Sequence, residues 1–286
     1  MNTSLLICTD LDRTLIPNGP QPESPDARRL FATLVARGEV SLAYVSGRHR
    51  ALVQQAMADY QLPLPDFVIG DVGTSLYRVE TDAEWSPRPE WESHIGADWA
   101  GASVEDLKGM LAGMSHLRLQ EPAKQGRFKL SFYAASDADQ SGLVDEVRGR
   151  ISAQGIRASL IWSVDEAVDV GLLDVLPERA TKYHAIEFLI EQEGFGIEQV
   201  VFSGDSGNDL EPLTSPLPAV LVANALPSVR EEALRVVRER GLADRLYCAE
   251  GGFLGMNGNY AAGILEGVAH YQPLVRRWLE GAVEVS

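Results

Sequence analysis

Residues 198–213 read EQVVFSGDSGNDLEPL. Val200, Val201 and Phe202 run apolar without polar alternation, and the run stops at Gly204 and Asp205. An unbroken apolar run bounded by turn residues is the pattern of a strand buried on both faces, as in a parallel sheet covered by helices. The loop behind it holds Asp205, Asn208 and Asp209. Gly, Ser, Asn and Asp are ordinary loop residues. Carboxylates repel one another, however, and grouping them is costly unless a cation sits among them.

Two more stretches share this grammar. SLLICTD (4–10) and EVSLAYVSG (39–47) also run apolar and stop at a small or acidic residue. Helical periods lie between the runs. SPDARRLFATLVARG (24–38) puts Leu30, Leu34 and Val35 on one face, with Ser24 expected as N-cap, Pro25 at the first helical position and Gly38 at the end. RHRALVQQAMADYQL (48–62) is similar, and TKYHAIEFLIEQEG (181–194) aligns Ile186, Leu189 and Ile190. SVREEALRVVRERG (228–241) and NYAAGILEGVAHYQPLVRRWL (259–279) close the chain as helices. Alternating strands and helices predict a doubly wound, Rossmann-like α/β core with a parallel sheet.

The middle reads differently. FVIGDVGTSLYRVE (67–80) is expected as a strand and hairpin, and the Trp- and Pro-rich stretch at 81–99 as a linker. A helix over 103–114, a strand over 127–135, a helix over 137–155 and strands over 157–164 and 171–177 follow. Residues 82–177 are therefore expected to form a smaller α/β cap domain, inserted into a core made of 1–81 and 178–286.

The bulk numbers narrow the partners. The chain has 286 residues, is 45% hydrophobic and carries a formal charge of -16. An acidic surface repels nucleic acid and anionic membranes, so neither is expected as a partner. Two distant cysteines, Cys8 and Cys248, imply no disulfide framework. The N-terminal apolar run is short and meets acids at once, so it does not read as a secretory signal. No apolar stretch approaches the roughly 20 residues needed to cross a bilayer. The cytoplasm is the expected location.

In open parallel sheets, chemistry gathers at the carboxyl ends of the strands. The first run ends in Asp10, Asp12 and Thr14, the second in Ser46, Gly47 and Arg48, and the late one in Asp205, Asn208 and Asp209. Lys182 lies at a helix start between them in sequence. This set suits phosphoryl transfer. Asp10 and Asp205 offer carboxylate oxygens to Mg2+, and the backbone carbonyl of Asp12 offers a third. One carboxylate can attack phosphorus, and the second, two residues on, can serve as acid and then base. Ser46 and Lys182 can hold phosphoryl oxygens, while Asn208 and Asp209 complete or orient the metal shell and fix Lys182. A calcium loop starting at Asp10 fails, because Leu15 stands where glycine is needed and Gln21 where glutamate is needed. An isolated D-x-D-x-T is weak; the joint order of strand–DLDRT, strand–SGR, helix-start Lys and strand–GDSGND is specific.

On those four motifs the chain resembles the haloacid dehalogenase-like phosphatases. The resemblance implies Asp10 as nucleophile, Asp12 as general acid/base, Ser46 and Lys182 as catalytic partners, and Asp10, Asp12, Asp205 and Asp209 as the Mg2+ site. Arg13 stands where glycine is frequent. The insertion resembles the α/β cap of the Cof-type members. LAYVSGRH (42–49), VGTSLY (72–77), FKLSFY (128–133), SGDSGNDL (203–210) and AAGILEGVAHY (261–271) are similar to the sucrose-phosphate and mannosylfructose-phosphate phosphatase group. That likeness implies a disaccharide phosphate as substrate, sucrose 6-phosphate first. It adds Thr14, Gly47, Arg48, His49, Asn208 and the cap residue Lys129 as candidate substrate ligands. It also implies a monomer, with a sugar-phosphate synthase as the candidate protein partner. A sugar phosphomutase, gripping a second phosphate with Arg118, Lys124, Arg127 and Lys129, and a non-catalytic phosphosugar-binding module are the alternatives. The glycine-rich loop 249–259 fits neither the sucrose-phosphate nor the mannosylfructose-phosphate pattern and lacks the strand–loop–helix context of a nucleotide site.

Overall fold

The computed structural model describes residues 5–135, 138–165 and 170–284. The three apolar runs are strands: β1 (Leu5–Thr9), β2 (Val40–Val45) and β10 (Val200–Gly204). With β3 (Phe67–Gly70), β4 (Ser75–Val79), β5 (Trp85–Pro87), β11 (Ala219–Leu221) and β12 (Leu246–Cys248) they form an eight-stranded sheet of order β12-β11-β10-β1-β2-β3-β4-β5. All neighbours pair parallel except β3–β4 and β4–β5, which are antiparallel.

Successive side chains of a strand face opposite ways, and here each side meets its own helices. Leu5, Ile7, Leu42, Tyr44 and Val201 pack with α1 (Ala27–Val35), α9 (Ala261–Tyr271) and α10 (Pro273–Glu284). Leu6, Cys8, Ala43, Val45, Val200 and Phe202 pack with α6 (Lys182–Glu193) and α8 (Pro227–Glu239). Full burial of each such Leu or Ile contributes roughly 1.5–3 kcal/mol. The doubly wound α/β core is therefore present, with its switch point at β1, between β2 and β10. Cys8 is a core residue whose thiol is pushed far up by burial, and both cysteines are free.

Several local expectations differ. Ser24 does not cap α1; Asp26 holds that position, and Pro25 precedes the helix. The Ser24 hydroxyl instead accepts from the Asn257 N–H at 3.0 Å. The closing helix is divided at Pro273, which has no N–H to donate and opens α10. The stretch expected as a linker is β5, then α3 (Pro89–Gly96) and a 3-10 turn, with Trp85, Trp91 and Trp99 all buried. Because β5 pairs with β4 and Trp91 joins the cluster around Leu6, the main sheet continues past residue 82.

A second, antiparallel sheet of order β6-β7-β9-β8 follows, built from β6 (Leu117–Leu119), β7 (Leu130–Ala135), β8 (Ala158–Asp165) and β9 (Val170–Pro177). α4 (Val104–Met110), opened by a Ser103–Asp106 capping box, and α5 (Gln140–Ser152) pack on it around Leu107, Phe132, Val147 and Leu173. The remaining helices are α2 (Arg50–Tyr60) and the single turn α7 (Leu210–Leu213). Residue 137, where the helix expected over 137–155 begins, lies outside the described residues, and the strand expected over 171–177 is β9.

The glycine-rich loop is tied down by backbone and side chain. Glu266 of α9 accepts from the Glu250 and Gly251 N–H groups, each at 2.9 Å, and from the Tyr247 hydroxyl. Asn224 accepts from the Tyr260 N–H at 2.8 Å and donates to the Arg13 carbonyl at 2.6 Å. Through Asn224, the residue that follows the loop is linked to the turn after β1.

Candidate active site

The parallel register brings the three strand ends together: Thr9 lies beside Tyr44 on one side and Ser203 on the other. The Asp10 N–H bonds the Ser203 carbonyl at 2.9 Å. One ligand oxygen from each of Asp10, Asp205 and Asp209 lies within 4.8 Å of the others, and all three residues are buried. Gly204 makes this possible, since a Cβ there would stand 2.6 Å from the Cβ of Asp209.

Lys182 completes the floor. It is the first residue of α6, whose N-cap Thr181 accepts from the His184 N–H at 3.2 Å. Its ammonium is 2% exposed as a residue and donates to Asp10 Oδ1 at 3.0 Å, Asp209 Oδ1 at 2.7 Å and Asn208 Oδ1 at 3.1 Å. Desolvation alone would lower the lysine pKa; the carboxylates of Asp10 and Asp209 outweigh it and hold the ammonium charged. Gly73, at φ +102°, sets the helix start: a Cβ there would lie 2.4 Å from the Thr181 carbonyl carbon.

Both oxygens of Asp209 are engaged, Oδ1 by Lys182 and Oδ2 by the N–H groups of Asp205 and Ser206 and the Ser206 hydroxyl. Asp209 therefore orients its neighbours. Thr14, also buried, donates its hydroxyl to Asp205 Oδ1 at 3.1 Å. Burial, reinforced by the charge of Asp209, pushes the Asp10 carboxyl up to about 7 against the pull of Lys182, and Asp205 up to about 6. Their hard oxygen donors fit a divalent cation such as Mg2+, with Asp10 and Asp205 as its carboxylate holders.

The rim is different in kind. Arg48 donates two bonds to Asp12, Nε to Oδ2 at 2.7 Å and NH2 to Oδ1 at 2.6 Å, and Asn18 adds a third at 2.7 Å. Partial burial would raise the Asp12 carboxyl, but the Arg48 bonds outweigh it and hold Asp12 below the usual carboxylate range. Asp12 is thus kept ionised, ready to accept a proton; donating one requires Arg48 to let go. A cavity of about 280 Å³ opens here, lined by Asp10, Asp12, Arg13, Gly47, Arg48, Leu52, Asp205, Ser206 and Asn208.

The remaining candidates are not among the residues that line the cavity. Ser46 is fully buried at the end of β2, its hydroxyl accepting from the Arg48 N–H at 3.1 Å. His49 is the N-cap of α2 and does not line the cavity. Lys129 points its ammonium to Asp174 of the second sheet, at 3.5 Å. Arg127 pairs with Glu92, and Arg118 lies over the Tyr133 ring. Arg13, Leu52 and Ser206 line the cavity and were not singled out as site residues from the sequence; the departure from glycine at position 13 was the one visible signal.

Fold and site together are those of a haloacid dehalogenase-like phosphatase with a Cof-type architecture. A family model of sucrose-6F-phosphate phosphohydrolase matches residues 3–272, and the chain belongs to that family. It is similar to a HAD-like hydrolase of Nitrosococcus oceani, 52% identical over 286 residues, which span all of this chain and 76% of the relative. It is 28% identical over 273 residues to the mannosylfructose-phosphate phosphatase of Agrobacterium fabrum, covering 93% of this chain and 96% of that one. The crystal structure of the Synechocystis sucrose-phosphatase with sucrose and phosphate superposes with a TM-score of 0.69, at 24% identity, covering 94% of this chain and 98% of the other. The protein is a sugar-phosphate phosphatase. Among the described residues no helix is long and apolar enough to cross a membrane.

Proposed function

We propose that the protein hydrolyses a disaccharide phosphate, sucrose 6-phosphate first, with Mg2+ as cofactor and an aspartyl-phosphate on Asp10 as intermediate. The observation that supports this most is the position of Asp10. It is buried on the cavity floor, 3.0 Å from the Lys182 ammonium and grouped with Asp205 and Asp209, with Asp12 at the rim two residues on.

Asp10 and Asp205 would hold Mg2+, which would supply positive charge to offset the repulsion between the carboxylates and a phosphate dianion. The protein residues do the rest. An Asp10 carboxylate oxygen attacks phosphorus, and the bond from phosphorus to the sugar oxygen breaks. Asp12, freed from Arg48 and protonated, gives its proton to that oxygen. Asp12 then takes a proton from the water that attacks phosphorus, and Asp10 is released with inorganic phosphate. Lys182 keeps Asp10 oriented throughout. The second sheet serves as the cap, and its closure over the sugar would exclude water from the first half-reaction.

The test is phosphate release with Mg2+ across a panel of sucrose 6-phosphate, mannosylfructose phosphate and hexose monophosphates. Preference for sucrose 6-phosphate supports the reading. Preference for mannosylfructose phosphate, named in the relative from Agrobacterium, would move it to that disaccharide. A requirement for a sugar bisphosphate, with no inorganic phosphate formed, would replace it with a mutase.

A further inference from the structure

Arg13 is held in an unfavourable backbone state by several separate parts of the chain. Its φ is +58°, in the left-handed region that favours glycine. Its N–H donates to Asn18 Oδ1 at 2.8 Å, and its carbonyl accepts from Asn224 Nδ2 at 2.6 Å. Asn224 is fixed in turn by the N–H of Tyr260, a fully buried residue that itself has φ +52°. Backbone strain of this kind persists only where surrounding structure over-determines it. What it holds in place is a guanidinium. Arg13 Nε lies 3.4 Å from Asp205 Oδ2, is buried, and makes no hydrogen bond.

The charges around the cavity are closely matched. Four carboxylates, Asp10, Asp12, Asp205 and Asp209, meet three cations, Lys182, Arg48 and Arg13, and every carboxylate has a cationic neighbour. Lys182 is locked beneath the floor. Arg13 and Arg48 line the cavity with side chains 34% and 26% exposed. Thr14 already holds Asp205 Oδ1, so Arg13 faces the oxygen that remains.

We propose that Arg13 is a positioning residue that couples divalent-cation binding to phosphate binding, by sharing Asp205 with the cation and the cavity with the phosphoryl group. With the site empty, Arg13 neutralises Asp205 and so competes with a cation. When a cation takes the carboxylate, the Arg13 charge is left for an anion in the same cavity. Each ligand then strengthens the other, and linkage requires the effect to be reciprocal. The inference rests on the phosphatase reading.

Calorimetric titration decides it, with Mg2+ alone, inorganic phosphate alone, and each in the presence of the other. Arg13→Gln keeps a long side chain without charge, and Arg13→Gly suits the positive φ. In the wild type, Mg2+ alone binds weakly and inorganic phosphate strengthens it. In either folded variant, Mg2+ alone should bind roughly 3- to 10-fold tighter, the range for removing one partly exposed charge beside a carboxylate, and the gain from phosphate should shrink by a similar factor. A residue that merely held the loop would weaken both ligands when replaced. Unchanged or weaker Mg2+ binding, or undiminished coupling, in a variant with a normal melting transition overturns the proposal. A wild-type protein that releases no phosphate from any substrate in the panel would sink the phosphatase reading instead, independently of how Mg2+ responds to residue 13.

Discussion

The floor and the rim of one cavity are built on opposite terms. At the floor, Asp10, Lys182 and Asp209 have side chains 6%, 1% and 0% exposed and hold each other by short bonds. At the rim, Asp12 is paired just as closely to Arg48, but its side chain is 41% exposed. A buried pair that loses one member leaves an uncompensated charge in a poor solvent, whereas an exposed pair that separates is rescued by water. The floor therefore fixes geometry, and the rim is free to exchange partners during a reaction cycle.

The strongest way to break this contrast is Asp10→Asn. Phosphate release should fall by about 10⁴ or more, as expected when the group that forms the covalent bond is removed. Stability should move the other way. The folded Asp10 carboxyl titrates near 7, above its ordinary value of 3.8. Between those values the native state holds a proton that the unfolded chain has lost. Cation-free wild type is therefore destabilised as pH rises across that window. Thermal melting without divalent cation should show Asp10→Asn to be the more stable protein at pH 7, with the gap closing toward pH 4. A variant less stable than wild type at pH 7 would contradict a raised Asp10 carboxyl.

Lys182→Met should come next. It strands Asp209 in the interior, at a cost of about 3–5 kcal/mol in chemical denaturation, and lowers turnover by about 10²–10³. Arg48→Ala should be milder. Exposed pairs contribute about 0.2–1 kcal/mol, so melting changes little. The pKa of Asp12, now depressed, should rise. The stability that Asp12 brings is complete above its ordinary carboxylate value and is lost as pH falls through its folded one. The variant should therefore lose this dependence at the acid end, and the acid limb of its pH–rate profile should shift upward. The smallest effect is expected for Lys129→Met. Hydrolysis of a small aryl phosphate should change by less than about twofold, since Lys129 is held by Asp174, away from the cavity; a rise in KM confined to the disaccharide phosphate would show that the second sheet meets the sugar.

The same contrast governs what the sequence makes legible. β1, β2 and β10 are legible because strands buried on both faces leave unbroken apolar runs, and the meeting of their carboxyl ends follows from parallel pairing. β11 and β12 are three residues each, too short for any period to register, although the run LPAVLVA around β11 was a faint signal. α3 was hidden because its flanking prolines resemble a linker, yet Pro89 opens the helix. Lys182 was legible by its place at a helix start. The Arg48–Asp12 bonds and the position of Arg13 depend on side-chain paths between distant segments, which no local pattern encodes.

Gly73 carries a last consequence. Its missing side chain lets the β3–β4 turn press against the first residues of α6, and Trp91 anchors the same turn through an Nε1 donation to the Gly73 carbonyl at 3.0 Å. No methyl group fits in that gap, so the placing of the Lys182 ammonium depends on a hydrogen atom on a hairpin far away in sequence. A substitution there would look like a harmless loop change and yet shift Lys182 against Asp10 and Asp209.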